Sequence, residues 1–288
     1  MKCSIKILAA LPCALLLMSL AGCGASTPPI PYPTFIDVNA LDNVFLAGLP
    51  GARAKQLAGD PRSRRSSNRV LLPENWQFTT GASPTQSVEL FVLVGQIQLG
   101  EFELGPGGYA HLPAGTSGVQ MQSESGAYIL YFLDAADDAA VIETPLIASS
   151  DLLEWEPAGA GFMIKEMRFD PGSGARTWLL KIEREAMRQW QRSSQVLEGY
   201  LLSGTVTESE CVFGTVVTDD YRTGGYFYRA AGAISGGPES VATSEAVWFL
   251  RVQGNEQIEV LSDCVEVLQQ LIRDSQARNF RYCAWPNY

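Results

Sequence analysis

The chain has 288 residues, 31 acidic against 21 basic, for a formal net charge of −10; so acidic a protein without a long basic run is not built to grip nucleic acid, whose phosphates demand clustered Lys and Arg. Its 46% hydrophobic and 18% charged composition is that of a globular protein long enough for two ordinary domains. A single histidine leaves little room for imidazole-based metal sites.

The first 22 residues have the form of an export signal. Lys2 and Lys6 form a positive region, Ile7–Leu20 an apolar one, and Leu20-Ala21-Gly22-Cys23 matches a bacterial lipoprotein box. The apolar run is short for a bilayer, so the expected anchor is a lipid on Cys23 rather than a spanning helix. Cleavage removes two lysines and no acid, taking the formal charge of the exported part to −12. Gly24, not aspartate, follows the cysteine, which favours the periplasmic face of the outer membrane in a two-membrane cell. Residues 23–34, rich in Pro and small residues, read as a tether.

Two related all-β units follow, at 35–150 and 151–262. Asp60-Pro61-Arg62-Ser63 is echoed by Asp170-Pro171-Gly172-Ser173, turn chemistry in both cases. The basic knot Arg62–Arg65 reads as a solvated turn. Ser87–Gly115 is repeated by Val196–Gly232: Glu89 and Glu198 each stand six residues before a glycine, Gly95 and Gly204, and both copies then reach Gly-Gly-Tyr and close on Ala-Gly. The offset is 109 at the glutamates (198 − 89) and 117 at the paired glycines (224 − 107), so one hairpin of the second copy is eight residues longer. This is an internal duplication.

Between the units, 134–156 reads as a solvated connection, because Asp134, Asp137 and Asp138 lack the alternating oxygen ligands and turn glycine of a calcium loop. Lys181–Trp190 has local helical character, but the repeat register assigns it to strand. In the last segment, 263–288, Val265, Val267, Leu268 and Leu271 at helical spacing behind Asp263 predict a helix covering a barrel, followed by an aromatic tail.

The apolar run into a glycine turn, the short strand pair and Gly107-x5-Pro113-x-Gly115 resemble the cupin barrel, twice over. The likeness is nearest to tandem cupins related to the cupin domain of zinc-binding anti-sigma factors. It implies an all-β fold of two cupin-like barrels, a bicupin, with the helix appended. A metal-binding cupin would carry His-x-His, a carboxylate seven residues before the turn glycine, and a third His after PxG. Those positions hold Gly81–Pro84, Val88 and Gly118 in the first copy, and Trp190–Ser193, Leu197 and Ser235 in the second. No metal or other cofactor is therefore expected, although a one-residue bulge could turn Glu89 or Glu198 inward.

Cys211, Cys264 and Cys283 remain in an oxidising compartment and allow one bridge. Cys264 and Cys283 flank the predicted helix and form the expected pair. His111 with Tyr109 could act as a metal-free acid/base pair, but the second copy has Tyr228 in place of His111, which suits a packing position. Glu89, Tyr109, His111, Glu198 and Tyr228 are the pocket candidates. Two readings stand: a lipid-anchored binding or structural protein that holds a small-molecule or protein ligand, and a metal-independent or unconventional enzyme. Convergent ionisable groups inside a barrel would favour the second.

Overall fold

The computed structural model describes residues 35–60, 65–80 and 85–265. The readings at 1–34, the first ligand window at 81–84, Cys283 and all of the expected terminal helix beyond the helical Cys264 and Val265 lie outside the described residues. Within them the chain is almost wholly β, and no helix is long and apolar enough to cross a membrane.

Four sheets pair into two barrels. The first combines a six-stranded sheet, centred on Gln86–Gly95 and Ala127–Ala135, with a four-stranded one. The second combines a seven-stranded sheet, centred on Leu197–Ser203 and Ala246–Val252, with a five-stranded one. The central strands show little polar alternation because both of their faces are buried. Leu90 and Val92 point into the core of the first barrel, whereas Phe91 points into a cluster shared with the second. That shared cluster, with Phe132, Leu179, Tyr200, Tyr226 and Phe249, forms the seam between the two large sheets. Phe132 and Phe249 stack across it at 5.6 Å.

The duplication is visible in the strand registers. Ala127 pairs with Gly95 and Leu72, as Ala246 lies beside Gly204 and pairs with Ile182. Gly95 and Gly204 both have φ in the left-handed region, and a Cβ at either would run into the backbone of the neighbouring turn, at Gly126 or Glu245. The register reading of Lys181–Trp190 holds: strands Arg176–Ile182 and Met187–Ser193 are joined by a turn through Glu185, whose positive φ matches that of Asn75 in the first copy.

The short strand ahead of the first barrel pairs with a sheet of the other barrel, whereas the one ahead of the second pairs with a sheet of its own unit, 35–150. Ile36–Asp37, which precedes the first barrel in sequence, pairs with Gly225–Arg229 in the second. Leu146–Ser149, which precedes the second, pairs with Gly108–Leu112 in the first. Both run into a short 3-10 turn capped by the strand's last side chain, Asp37 or Ser149. The connection is thus not merely a solvated linker. Asp134 lies within the strand Ala127–Ala135 and is buried, which corrects its reading as a linker residue.

A second correction concerns the cysteines. Cys264 is bonded to Cys211, with Cα atoms 5.5 Å apart, so it does not pair with Cys283. Cys211 sits on Thr205–Val212, paired beside Ile234, and a small cluster with Trp190 and Leu261 closes round the bridge. The two cysteines are 53 residues apart in sequence and meet because the five-stranded sheet carries Cys211 on Thr205–Val212 and ends in the strand Ile258–Leu261 that leads to Cys264.

Candidate functional site

Among the described residues, the interior of the first barrel is filled by hydrophobic side chains. Val88, at the former carboxylate position, pairs across from Leu112, and the surrounding core is apolar. The second barrel differs. Arg229 lies directly across the strand pair from Leu197, and Ser235 lies across from both Gln191 and Glu210, so the former ligand positions surround an ionic cluster. Arg229 contacts Glu210 at 2.7 Å and Glu208 at 3.0 Å, and Arg188 contacts Glu208 at 2.9 Å. The guanidinium of Arg229 also lies over the ring of Phe227. Burial opposes ionisation of Glu208, but Arg188 and Arg229 outweigh it and hold its carboxyl below the usual range.

Four convergent ionisable groups inside a barrel would suggest catalysis if they were free to react. These are bonded to one another in an alternating chain, Arg188 to Glu208, Glu208 to Arg229 and Arg229 to Glu210. Among the described residues, moreover, no three His, Cys, Asp or Glu side chains converge as metal donors. The residues therefore do not fit a cupin metal, and a protonated guanidinium already supplies the positive centre.

The duplicated glutamates are elsewhere. Lying one residue away from the inward-facing Val88 and Leu197, Glu89 and Glu198 point out of their barrels into the seam, because neighbouring side chains of a strand face opposite ways. No bulge turns them inward; the register shift lies near Leu93 and Leu202. Glu89 accepts hydrogen bonds from Tyr109 of its own barrel (2.8 Å) and Thr177 of the other. Glu198 reciprocally accepts from Tyr226 (2.7 Å) and Ser67. Arg251 reaches Glu89 at 3.1 Å, Glu198 at 3.5 Å and also Asp134. Burial raises the carboxyl of Glu89, but the charges of Arg251 and Arg168 overcome it and leave it low. Burial and the adjacent Glu89 push the Tyr109 phenol well above its ordinary value.

At one end of the seam lies a cavity of about 340 Å³, bounded by the first barrel, the connection and the second barrel. His111 and Arg168 line it, and both are buried, at 4% and 8% exposure. Burial, reinforced by the charge of Arg168, lowers His111 to about 4, so the imidazole is neutral at physiological pH. A wider opening of about 630 Å³ at another part of the seam is lined by matched residues such as Phe91 and Tyr200, and Leu93 and Leu202. A further depression, about 860 Å³ around Glu74, Gln96 and Gln122, lies on the first barrel away from both ionic clusters.

Of the five pocket candidates, Glu89, Tyr109 and Glu198 thus belong to the seam network, and His111 lines a seam cavity. Tyr228 is half-buried on the seam side, with burial and Glu198 raising its phenol. Arg251, Arg168 and the Arg188–Glu208–Arg229–Glu210 cluster escape the sequence reading. One signal was available for the last of these: Val206, Glu208 and Glu210 share strand parity, placing two acids on a core-facing side.

The sequence pattern of a domain of unknown function, DUF4437, matches residues 46–259. A search of curated proteins finds no match. Among solved structures, a Nostoc punctiforme protein described as a candidate dioxygenase superposes with TM-score 0.62 at 22% identity, over 77% of this chain and 82% of its own. The Escherichia coli protein Ylba gives 0.60 at 15%, over 78% and 92%. A variant of Bacillus subtilis oxalate decarboxylase gives 0.56 at 13%, over 79% of both chains. These are cupin-fold proteins, and at such identities the likeness establishes the fold.

Proposed function

We propose, for a chain that belongs to the DUF4437 domain family and has the cupin fold, that it is a lipid-anchored protein of the bacterial cell envelope which acts by binding rather than by metal catalysis. The activities named for the dioxygenase-like and decarboxylase neighbours belong to those proteins. The observation that carries this reading is Arg229, whose guanidinium sits between Glu208 and Glu210 beside the former ligand positions Leu197 and Ser235. A cation covalently part of the chain leaves no room for a second, exchangeable one.

The lipoprotein box at Leu20–Cys23 supports attachment to the membrane through Cys23, facing the periplasm from the outer membrane. The narrower kinship with anti-sigma-factor cupins rests on the duplicated motifs alone. A metal-free enzyme built on His111 is the competing reading, but an imidazole lowered to about 4 is a weak base at neutral pH.

The test is elemental analysis of untagged protein from its native host, together with melting curves before and after chelation. The expected result is no stoichiometric transition metal and an unchanged melting temperature. Near-stoichiometric zinc, iron, manganese or nickel lost together with stability would overturn the reading.

A further inference from the structure

The outward face of the four-stranded sheet in the first barrel carries a row of side chains that neither the core nor the seam uses. Along these strands Trp76, Ile97, Leu99 and Met121 turn into the barrel core, so their neighbours Gln77, Gln98 and Gln122 turn outward. Strand register aligns them: Gln77 lies across from Gln122, Gln122 from Gln98, and Gln98 from Glu103. With strands roughly 4.8 Å apart, a row that crosses four of them is about 14 Å long. Gln77, Gln122 and Glu103 are exposed and Gln98 is half-buried. All four line the depression of about 860 Å³.

The duplication supplies an internal control. Gly204 corresponds to Gly95, and Glu185 of positive φ to Asn75, so the same row can be followed in the second barrel. There Met187 lies across from Val241, Val241 from Thr207, and Thr207 from Asp220. Met187, Val241 and Thr207 thus stand where the first barrel has Gln77, Gln122 and Gln98. The fold does not require amides at these positions. Asp220 is occupied by Thr207 at 2.7 Å. In the first barrel Gln98 donates to Gly100 O at 3.0 Å and Glu103 accepts from Gln96 at 3.1 Å, whereas Gln77 and Gln122 reach the depression with no side-chain bond to another described residue.

Chemistry and charge narrow the ligand. An amide offers two donors and an acceptor oxygen, and a carboxylate adds further acceptors, so a row of them matches a chain studded with hydroxyl or acetamido groups. An anion is disfavoured, because the lining holds Glu74, Glu103 and Glu124 and, among the described residues, no Lys or Arg. Nor do three of its carboxylates converge as metal donors. A protein partner would want an apolar, aromatic or Arg-rich centre, yet Trp76 and Ile97, the large apolar residues of the lining, are buried at 6% and 1% exposure. An extended polar row suits an extended, uncharged polar chain.

We propose that this face binds a neutral glycan chain laid along the row, with Gln77, Gln122 and Gln98 bonding its hydroxyl or acetamido groups and Glu103 accepting from a hydroxyl. The inference rests on the binding-protein reading above and names its ligand class.

Calorimetry on the full lipidated chain, in a detergent without a sugar headgroup, tests it. The probes are soluble β-linked oligomers of glucose and of N-acetylglucosamine, with polygalacturonate as the anionic control and spermine as the cationic one. At least one oligomer should bind saturably, one per chain, and at least about tenfold more tightly than its monosaccharide, which cannot reach along the row. Gln77→Met combined with Gln122→Val installs the second barrel's residues at the same register. This pair should weaken the oligomer at least about tenfold through the lost hydrogen bonds and leave the melting temperature unchanged. Gln122→Val alone, a change at one exposed side chain, decides the matter should the pair melt lower. The assignment is overturned if neither oligomer binds, if polygalacturonate or spermine binds as tightly, if the monosaccharide matches its oligomer, or if both variants keep the parental affinity. If neither oligomer binds and elemental analysis finds no metal, the binding reading stands and the assignment of this face alone fails; stoichiometric metal overturns that reading whichever way the glycans fall.

Discussion

Glu89 and Glu198 occupy equivalent positions in the two halves of the duplication, and they share a single guanidinium, Arg251, at 3.1 and 3.5 Å. The strand partner of Glu198 is Arg251; the strand partner of Glu89 is Phe132. Arg251 and Phe132 are therefore register equivalents, and the guanidinium rests over that ring at 4.1 Å. Two arginines here would repel each other and two phenylalanines would leave both carboxylates unpaired. One of each gives a buried cation a π face and three carboxylate partners, counting Asp134.

Removing this cation should be the most damaging seam substitution. Arg251→Met leaves Glu89, Glu198 and Asp134 buried without it, and breaking such a group from one side costs about 3–5 kcal/mol. Urea denaturation should show that loss, while Glu89→Gln, which keeps the Tyr109 and Thr177 contacts, should lose less. Equal stability of Arg251→Met and the parent would contradict the network.

Acid should destabilise the protein partly through His111. Its folded value of about 4 lies below the ordinary 6.5, so between these values the unfolded chain binds the proton first. The contribution is complete above pH 6.5 and is lost as pH falls toward 4, on the order of 3 kcal/mol in total. The groups facing the imidazole are Arg168, Glu89, Arg251 and Asp170. Glu89, held low by Arg251 and Arg168 against its burial, adds a loss in the same direction below pH 4.5. His111→Phe should flatten the stability profile between pH 6.5 and 4; an unchanged slope there would count against a buried neutral imidazole.

The Cys211–Cys264 bridge spans 53 residues. By loop-entropy arguments it stabilises the folded chain by up to about 4 kcal/mol. Peptide mapping without reduction should recover a 211–264 crosslink, and Cys211→Ser should lower the melting temperature. Recovery of a 264–283 crosslink would reverse the assignment.

Cys23→Ser should abolish acylation and move the protein from the membrane fraction to the soluble one, because the lipoprotein box is complete and only a tether follows it. Mass spectrometry and fractionation in the native host decide this; an unacylated, soluble parent protein would refute the anchor.

Much of the fold was legible because duplication writes the same constraints twice. Gly95 and Gly204 must be glycine where a Cβ would meet a neighbouring turn, and that requirement survives in the sequence at a fixed offset. The departure from the metal-cupin pattern was legible for the same reason: Val88, Leu197, Gly118 and Ser235 could be checked one by one. Local chemistry at known spacing is what a sequence records.

What it did not record is which face of a strand meets which neighbour. Both faces of Gln86–Gly95 are buried, one in a barrel and one in the seam, so hydrophobic alternation vanishes and Glu89 cannot be oriented from it. The pairing of Ile36–Asp37 with Gly225–Arg229, the meeting of Cys211 with Cys264, and the convergence of Arg251 on Glu89 across 162 residues (251 − 89) all depend on tertiary packing. Sequence alone determined the barrels, their duplication and the missing donors; the tertiary structure decided where the remaining charges went, because burial between two sheets, not spacing along one chain, chooses the partner of a buried ion.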